Sequence, residues 1–500
     1  MLPPTAAVSL RRLFPAASFV GCADIRVTAA CSSSEECRPG ALFAVNRGVR
    51  FDGHAFIADA LRRGASALLV ERPQPDAGVP QCVVPDVRRA YAELCSALEG
   101  SPSRELRLAG VTGTNGKTTI TWLIRALLQN AGHRTGLLGT IEYHDGLHGE
   151  PASLTTPDSR TLATWLAAMA KRRTTHAAME LSSHALAQHR TAGTELDVAI
   201  ISNITQDHFD YHLDFEHYRA SKLRILEHLK PTGVAVINID DAGSRSCLPH
   251  SPGAVLTYGF QQGADITADV LEESLGGSIF RLLTPNGSID VRTSLIGRHN
   301  ISNCLAAAAA GLHFGLSLEQ IAAGLESLHS VPGRMEPVEC GQPYAVFVDY
   351  AHTEDALERA IVALRRLTVG RVLCVFGAGG DRDRTKRPGM GRAAAEADIA
   401  ILTSDNPRSE DPEQIMREIL AGFPAEAHPE LEADREQAIC RALELARPGD
   451  SVLIAGKGHE TEQICGAERR RFDDRAVARK HINAPVFLRR PSLRQVHVEL

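Results

Sequence analysis

Residues 106–119, LRLAGVTGTNGKTT, carry the reading that decides the fold. LRLAGVT reads as a buried strand. Gly113 and Gly116 then bracket a short loop made with Thr114 and Asn115, Lys117 follows the second glycine, and Thr118 and Thr119 follow the lysine. Beyond them Ile120, Leu123, Ile124, Leu127 and Leu128 recur at helical spacing, and Gly132 stops the run. A strand that enters a glycine-rich loop and leaves as a helix turns backbone N–H groups onto a phosphate. Lys117 would sit on the β- and γ-phosphates of a nucleoside triphosphate, and the Thr118 hydroxyl would reach Mg²⁺. The usual spacing puts another glycine where Val111 stands; here the loop begins at Gly113. The bland alternative is an ordinary strand-to-helix turn.

Five hundred residues suffice for about three domains of ~150 residues each. The first segment, 1–105, holds the strand-like ALFAV (41–45) and ASALLVE (65–71) and the helical AFIADALRRG (55–64), and reads as a binding module. EGSPSRE (99–105) marks a boundary. The second segment, 106–333, adds the strands AAMEL, LDVAIISNI and VAVINID to the opening one. In the third, 334–500, YAVFVDY, RVLCVF, DIAILTSD and DSVLIAG alternate with helical stretches, as in a Rossmann-like domain. Strands alternating with helices imply an α/β fold with mostly parallel sheets. RRPSLRQVHVEL closes the chain as an appended tail.

The net charge of -6 gives no basic field for nucleic acid, and Arg469, Arg470 and Arg471 read as solvated surface. No apolar run reaches the ~18–20 residues that cross a bilayer. The N-terminus lacks the apolar core of a secretory signal. Eleven cysteines without a CxxC pair argue against a disulfide framework or zinc site. A cytoplasmic protein with no membrane or nucleic-acid partner is expected.

A phosphate loop with Mg²⁺ needs a carboxylate at the end of a neighbouring strand. Glu180 closes AAMEL, and Ser182, Ser183 and His184 follow, which places polar groups at the sheet's carboxyl edge. Asp207, His208, Asp210 and His212 cluster after the next strand, where two or three of them would suit a divalent cation. Taken singly, each would be polar loop surface.

GTNGKTT (113–119), ELSSH (180–184), SNITQDHFDYH (202–212), YRASK with Lys222, GRHNISN (297–303), PGRME (332–336), DYAHTEDAL (349–357), GGDRDRTKRP (379–388), DNPR (405–408) and GKGHE (456–460) occur in this order. The set resembles the Mur ligases, ATP-dependent amide ligases of peptidoglycan precursor synthesis, over residues 30–475. The resemblance implies an N-terminal nucleotide-sugar domain, a central ATP-binding domain and a C-terminal domain for the incoming amino acid. It implies ATP on residues 113–119, with Asn300, Arg334 and Asp349 near the adenine, phosphates and ribose. Two Mg²⁺ ions are implied, one on Thr118 and Glu180 and a second with His208. Lys222 matches the lysine that this family carbamylates; from its residue type alone it reads as an exposed helix lysine. Ser34, Thr155, Thr156, Ser182, Gln188 and Arg190 match contacts to a UDP-N-acetylmuramoyl-L-Ala-D-Glu acceptor.

Arg382, Asp405, Asn406, Pro407, Arg408, Gly456 and Glu460 match contacts to the amine donor. DNPR goes with meso-2,6-diaminopimelate in the family, since a second carboxylate suits a guanidinium fork. Glu460 would pair with the donor's distal ammonium. Bond formation would run through an acyl phosphate, Lys117 neutralising charge on the transferred group and His352 assisting the amine. Two positions depart from the family pattern. SSE (33–35) replaces DSR, which bears on the uridine contacts, and Glu354 replaces the proline of DYAHTP. A monomer is expected. The rivals are a lysine-adding or folylpolyglutamate sister ligase and, in another class, a switch or motor NTPase. NKxD, the guanine element of a switch, is absent. A nicotinamide site at GAGGDRD fails because Arg382 takes the third glycine position of GxGxxG.

Overall fold

A computed structural model describes residues 7–48, 52–205 and 211–483. The chain divides into two compact units. One comprises 1–205, 214–267 and 305–324, and the other 206–213, 268–304 and 325–500.

In the first unit the central sheet carries β1 (Arg107–Thr112), β2 (Thr135–Leu138), β3 (His176–Glu180), β4 (Leu196–Ile201), β5 (Leu229–Asn238) and β6 (Ala254–Tyr258). Their order is β2-β3-β1-β4-β5-β6, and neighbours run parallel. An antiparallel hairpin, Glu142–His144 and Gly149–Pro151, extends the β2 edge. Register aligns Glu180 with Val111 and Ile201 with Thr112. The carboxyl ends of β3, β1 and β4 therefore stand side by side, with β1 in the middle, where an open α/β sheet gathers ligands. Helix α1 (Lys117–Asn130) buries Ile120, Leu123, Ile124, Leu127 and Leu128, as their spacing requires.

The N-terminal sheet of the same unit is ordered Ser18–Val20, Gln81–Val83, Ala67–Val70, Leu42–Ala44, Ala30–Cys31. Leu42, Ala44, Ala67 and Leu69 enter one core cluster, while Phe43, Leu68 and Val70 enter another. Alternation with a period of two, apolar on both sides, is what a doubly covered sheet demands.

The second unit repeats the logic. β7 (Ala345–Asp349), β8 (Val372–Phe376), β9 (Ile399–Leu402) and β10 (Ser451–Ala455) are ordered β7-β10-β8-β9 and parallel. Phe347, Cys374, Phe376 and Leu453 face one cluster, and Val346, Val348, Val375 and Ile454 the other. Glu354, at the family's proline position, opens helix α3 (Glu354–Leu367) behind the N-cap Thr353. A carboxylate suits a helix N-terminus, and Arg392 Nη2 holds it at 3.2 Å. Proline is equally at home in the first helical turn, so the exchange leaves the backbone path intact. A three-stranded sheet, Thr267–Ser274, Gly277–Thr284 and Gly287–Thr293, makes up most of the 268–304 segment.

Candidate active site

The loop after β1 is shaped by its glycines. Gly113 has φ +152°, and a Cβ there would lie 1.9 Å from Ser202 Oγ, so no side chain fits. Gly116, at φ +88°, caps α1 in the left-handed region. The end of β4 props the loop. Thr114 and Asn115 donate their N–H groups to Asn203 O and Oδ1, both at 2.8 Å, and Ser202 Oγ donates to Asn115 O at 2.6 Å. Lys117 Nζ folds back onto the loop, donating to Gly113 O at 2.8 Å and Thr114 O at 2.9 Å.

Glu180, at the end of β3, is buried and receives three donors. Thr118 Oγ1 (3.1 Å) and Thr140 Oγ1 (2.9 Å) meet Oε2, and the Thr140 N–H (2.8 Å) meets Oε1. Thr155 Oγ1 lies 3.1 Å from Thr140 Oγ1. Thr156 Oγ1 donates to Glu180 O at 2.8 Å and accepts from the Ser182 N–H at 2.9 Å. Ser182 caps the helix Ser183–Ala187. Arg190 clasps Gln188 Oε1 at 2.8 and 3.0 Å and reaches Thr156 O at 3.4 Å. A continuous run of hydrogen bonds thus joins Thr118, Glu180, Thr155, Thr156, Ser182, Gln188 and Arg190. Ser34 belongs to the N-terminal sheet region, where its hydroxyl binds the Asp59 carboxylate and helps hold that acid below its ordinary pKa.

Lys222 corrects the expectation of an exposed lysine, being 1% exposed. It ends helix α2 (Phe215–Leu223), whose inner face also carries Tyr218. Lys222 Nζ donates to Gly113 O at 2.7 Å and lies 4.5 Å from the Tyr218 ring centroid. Tyr218 Oη is 3.0 Å from Thr114 Oγ1. A tyrosine four residues before the lysine, on one helix face, was the overlooked signal. Thr140 and Asn203 carried no comparable mark. Asp207, His208 and Asp210 lie outside the described residues, as does the tail. His212 is buried. Among the described residues no group of three His, Cys, Asp or Glu side chains is placed to hold a metal.

Further groups converge in the second unit. Asp349 Oδ2 accepts from the Met335 N–H at 2.6 Å, and Oδ1 from the Ala351 N–H at 2.7 Å. Burial pushes this carboxyl up, against the pull of Arg334. The Arg334 guanidinium stands 4.7 Å from the Tyr350 ring centroid. His352 Nδ1 donates to Tyr350 O at 2.8 Å, which leaves Nε2 as the basic nitrogen. Asn300 Nδ2 donates to Ile296 O at 2.9 Å.

After β9 the chain turns through Asp405, Asn406 and Pro407 to Arg408, whose φ is +52°. Arg408 Nη1 donates to Gly380 O at 2.6 Å, and its N–H to Ile464 O at 3.0 Å. Asn406 Nδ2 donates to Glu460 Oε2 at 2.7 Å. Gly456, at φ +115°, allows Asp405 to approach, since a Cβ would lie 2.5 Å from its Oδ2. Arg382 is exposed and donates to Asp381 O at 3.3 Å. Asp405, Asn406, Arg408, Gly456 and Glu460 are therefore brought together by the ends of β9 and β10.

Residues 27–98 match the family described as Mur ligase family, catalytic domain; residues 111–311 match the Mur ligase middle domain, and 333–458 the Mur ligase glutamate ligase domain. The chain belongs to the Mur ligase family and has its three-domain α/β architecture. Among its relatives is UDP-N-acetylmuramoyl-L-alanyl-D-glutamate--2,6-diaminopimelate ligase of Geobacillus kaustophilus, 46% identical over 454 residues, covering 89% of this chain and 93% of that one. The protein of the same name from Gloeobacter violaceus is 45% identical over 465 residues, covering 92% and 94%. A solved structure bearing that name superposes with a TM-score of 0.68 at 34% identity, covering 95% of this chain and 99% of that chain. No helix among the described residues is long and apolar enough to cross a membrane.

Proposed function

We propose that the chain joins meso-2,6-diaminopimelate to the D-Glu γ-carboxylate of UDP-N-acetylmuramoyl-L-Ala-D-Glu, consuming ATP and forming ADP and phosphate. It works as a cytoplasmic monomer with domains at 1–105, 106–333 and 334–500. The single observation that carries the ligase reading is Lys222, buried against the Gly113 carbonyl of the phosphate loop. A hydrolytic switch has no need of an amine sunk under its loop.

ATP occupies Gly113, Thr114, Asn115, Gly116, Lys117, Thr118 and Thr119, with Asn300, Arg334 and Asp349 around the nucleoside. Thr118 Oγ1, in the first turn of α1, and Glu180 Oε2, at the end of β3, are hard oxygen donors 3.1 Å apart. Mg²⁺ takes one or two such protein oxygens and completes its shell with phosphates and water, so the pair fits one ion. A second ion would draw on His208 and a carbamate on Lys222. The N–H of a carbamylated Nζ can still donate to Gly113 O, so the observed contact suits the modified side chain too. Bound metal supplies charge neutralisation at the phosphates.

The residues then divide the work. Thr155, Thr156, Ser182, Gln188 and Arg190 hold the acceptor, with Ser34 on its uridine side, and orient the γ-carboxylate. Lys117 leaves the loop carbonyls to meet the γ-phosphate, whose transfer gives an acyl phosphate. Arg382, Asp405, Asn406, Pro407, Arg408, Gly456 and Glu460 hold the donor, Arg408 on a carboxylate and Glu460 on the distal ammonium. His352, its Nδ1 held by the Tyr350 carbonyl, takes a proton from the attacking amine on Nε2.

The test is phosphate release with ATP, Mg²⁺ and the UDP-dipeptide, comparing meso-diaminopimelate with L-lysine. Release with diaminopimelate alone is expected. Release with lysine instead overturns the donor assignment, and release with neither overturns the acceptor.

A further inference from the structure

Lys457 has no part in the roles above, yet its side chain is fully buried. An ammonium tolerates burial where its protons find acceptors. Lys457 Nζ donates to Glu462 O at 2.6 Å, to Asn406 Oδ1 at 3.1 Å and to Glu460 Oε2 at 3.5 Å. Asn406 Oδ1 also accepts from the Ile464 N–H at 3.0 Å. With two donors on its oxygen, the Asn406 amide points Nδ2 at Glu460 Oε2, 2.7 Å away. Glu460 is thus the open end of a wired row that starts at Lys457.

The row answers an electrostatic need. Burial and the neighbouring Asp405 carboxylate both push the Glu460 carboxyl up, and Lys457 and Asn406 bring it down. Among the described residues, Arg435 and Tyr350 also face Glu460. Arg435 is committed to Asp474, with bonds of 2.8 and 2.7 Å. Burial lifts the Tyr350 phenol to about 12, so it stays neutral. Among the described residues, Lys457 is the cation in hydrogen-bond reach of the carboxylate.

We propose that Lys457 is a positioning residue that keeps Glu460 ionised and aimed, and so sets the affinity for the distal ammonium of the amine donor. This rests on the reading of Glu460 as a donor contact. Without Lys457, Glu460 faces Asp405 with no close counter-charge, and its protonation moves toward neutral pH.

The experiment measures kcat/KM for meso-diaminopimelate against pH, with KM for ATP beside it, in the full-length protein and in Lys457→Met, Glu460→Gln and the double variant. In Lys457→Met the KM for diaminopimelate should rise about tenfold or more. The acidic limb of its profile should move up by about one pH unit, with KM for ATP unchanged. The double variant should be no worse than Glu460→Gln, because both changes break one row. If Glu460→Gln raises KM for the donor while Lys457→Met leaves the acidic limb in place, the Lys457 role is overturned and the Glu460 reading stands. If Glu460→Gln leaves donor KM unchanged, the Glu460 reading fails, and the Lys457 role with it. An equal rise of both KM values in Lys457→Met, with an unshifted profile, would mark a structural lysine and overturn the proposal.

Discussion

The loop at 113–119 and the turn at 405–408 both follow a parallel strand, but they are built from different material. The first is made of backbone. Two glycines and the Asn203 amide set its path, and it leads into the N-terminus of α1, where backbone N–H groups suit a phosphate. The second is made of side chains. Buried Asn406 and Lys457 hold the half-buried Glu460, and Arg408 is anchored to Gly380 O. A phosphate has the same shape in every nucleotide, so a backbone cradle suffices. An amino acid must be told from its near relatives, and that takes placed charges.

The comparison breaks most sharply at Lys117. Lys117→Ala should cut turnover by about 10³-fold, because it removes the cation from the transferred phosphate; retention of a tenth of wild-type turnover in a phosphate-release assay would refute the loop's role. Next comes Arg408→Ala, expected to raise KM for diaminopimelate by about 10²-fold with KM for ATP within a factor of two or so. Equal losses would mean that the 405–408 turn is scaffold. Arg408→Gly sharpens the point, since glycine accepts φ +52° without strain. It should lose donor affinity like the alanine variant yet melt at the same or a higher temperature than wild type. Tyr218→Phe is milder, losing one hydrogen bond to Thr114 and about three- to tenfold in kcat/KM for ATP; an unchanged value would remove Tyr218 from the loop's support.

The smallest effect concerns the scaffold beside the donor turn. The Arg384 guanidinium, aided by Gln414 and the buried Arg387, holds Glu418 down at about 2. A depressed carboxylate stabilises the fold above its unfolded pKa of about 4.5 and loses that contribution as pH falls through about 2. Thermal unfolding followed between pH 5 and pH 2 should show this decline, and Arg387→Met should flatten it. An unaltered slope would show that the Arg387–Glu418 pair carries no acid-linked stability.

Legibility in the sequence follows the same division. The strand, loop and helix at 106–130 were readable because glycine spacing and apolar periodicity are local facts. The parallel sheets followed from alternation, but not every strand end did: Leu229–Asn238 begins five residues before VAVINID, and Leu196–Ile201 stops three residues short of the end of LDVAIISNI. Glu180 was readable as a strand-end carboxylate. Lys222 was not, because its burial depends on α2 lying against a loop more than a hundred residues earlier. DNPR taken alone is a turn; that Asn406 is aimed by Lys457 is a fact of two distant strand ends meeting.

The resting position of Lys117 has a kinetic consequence. Its ammonium already holds two carbonyls of its own loop, so the loop acts as a competitor for the incoming nucleotide. Every nucleotide must displace those bonds, and the carbonyls stand ready to recapture the cation once the γ-phosphate is gone. Such internal exchange lowers the net gain from a lysine–phosphate contact for any nucleotide that makes it, and so trades nucleotide affinity for ease of release.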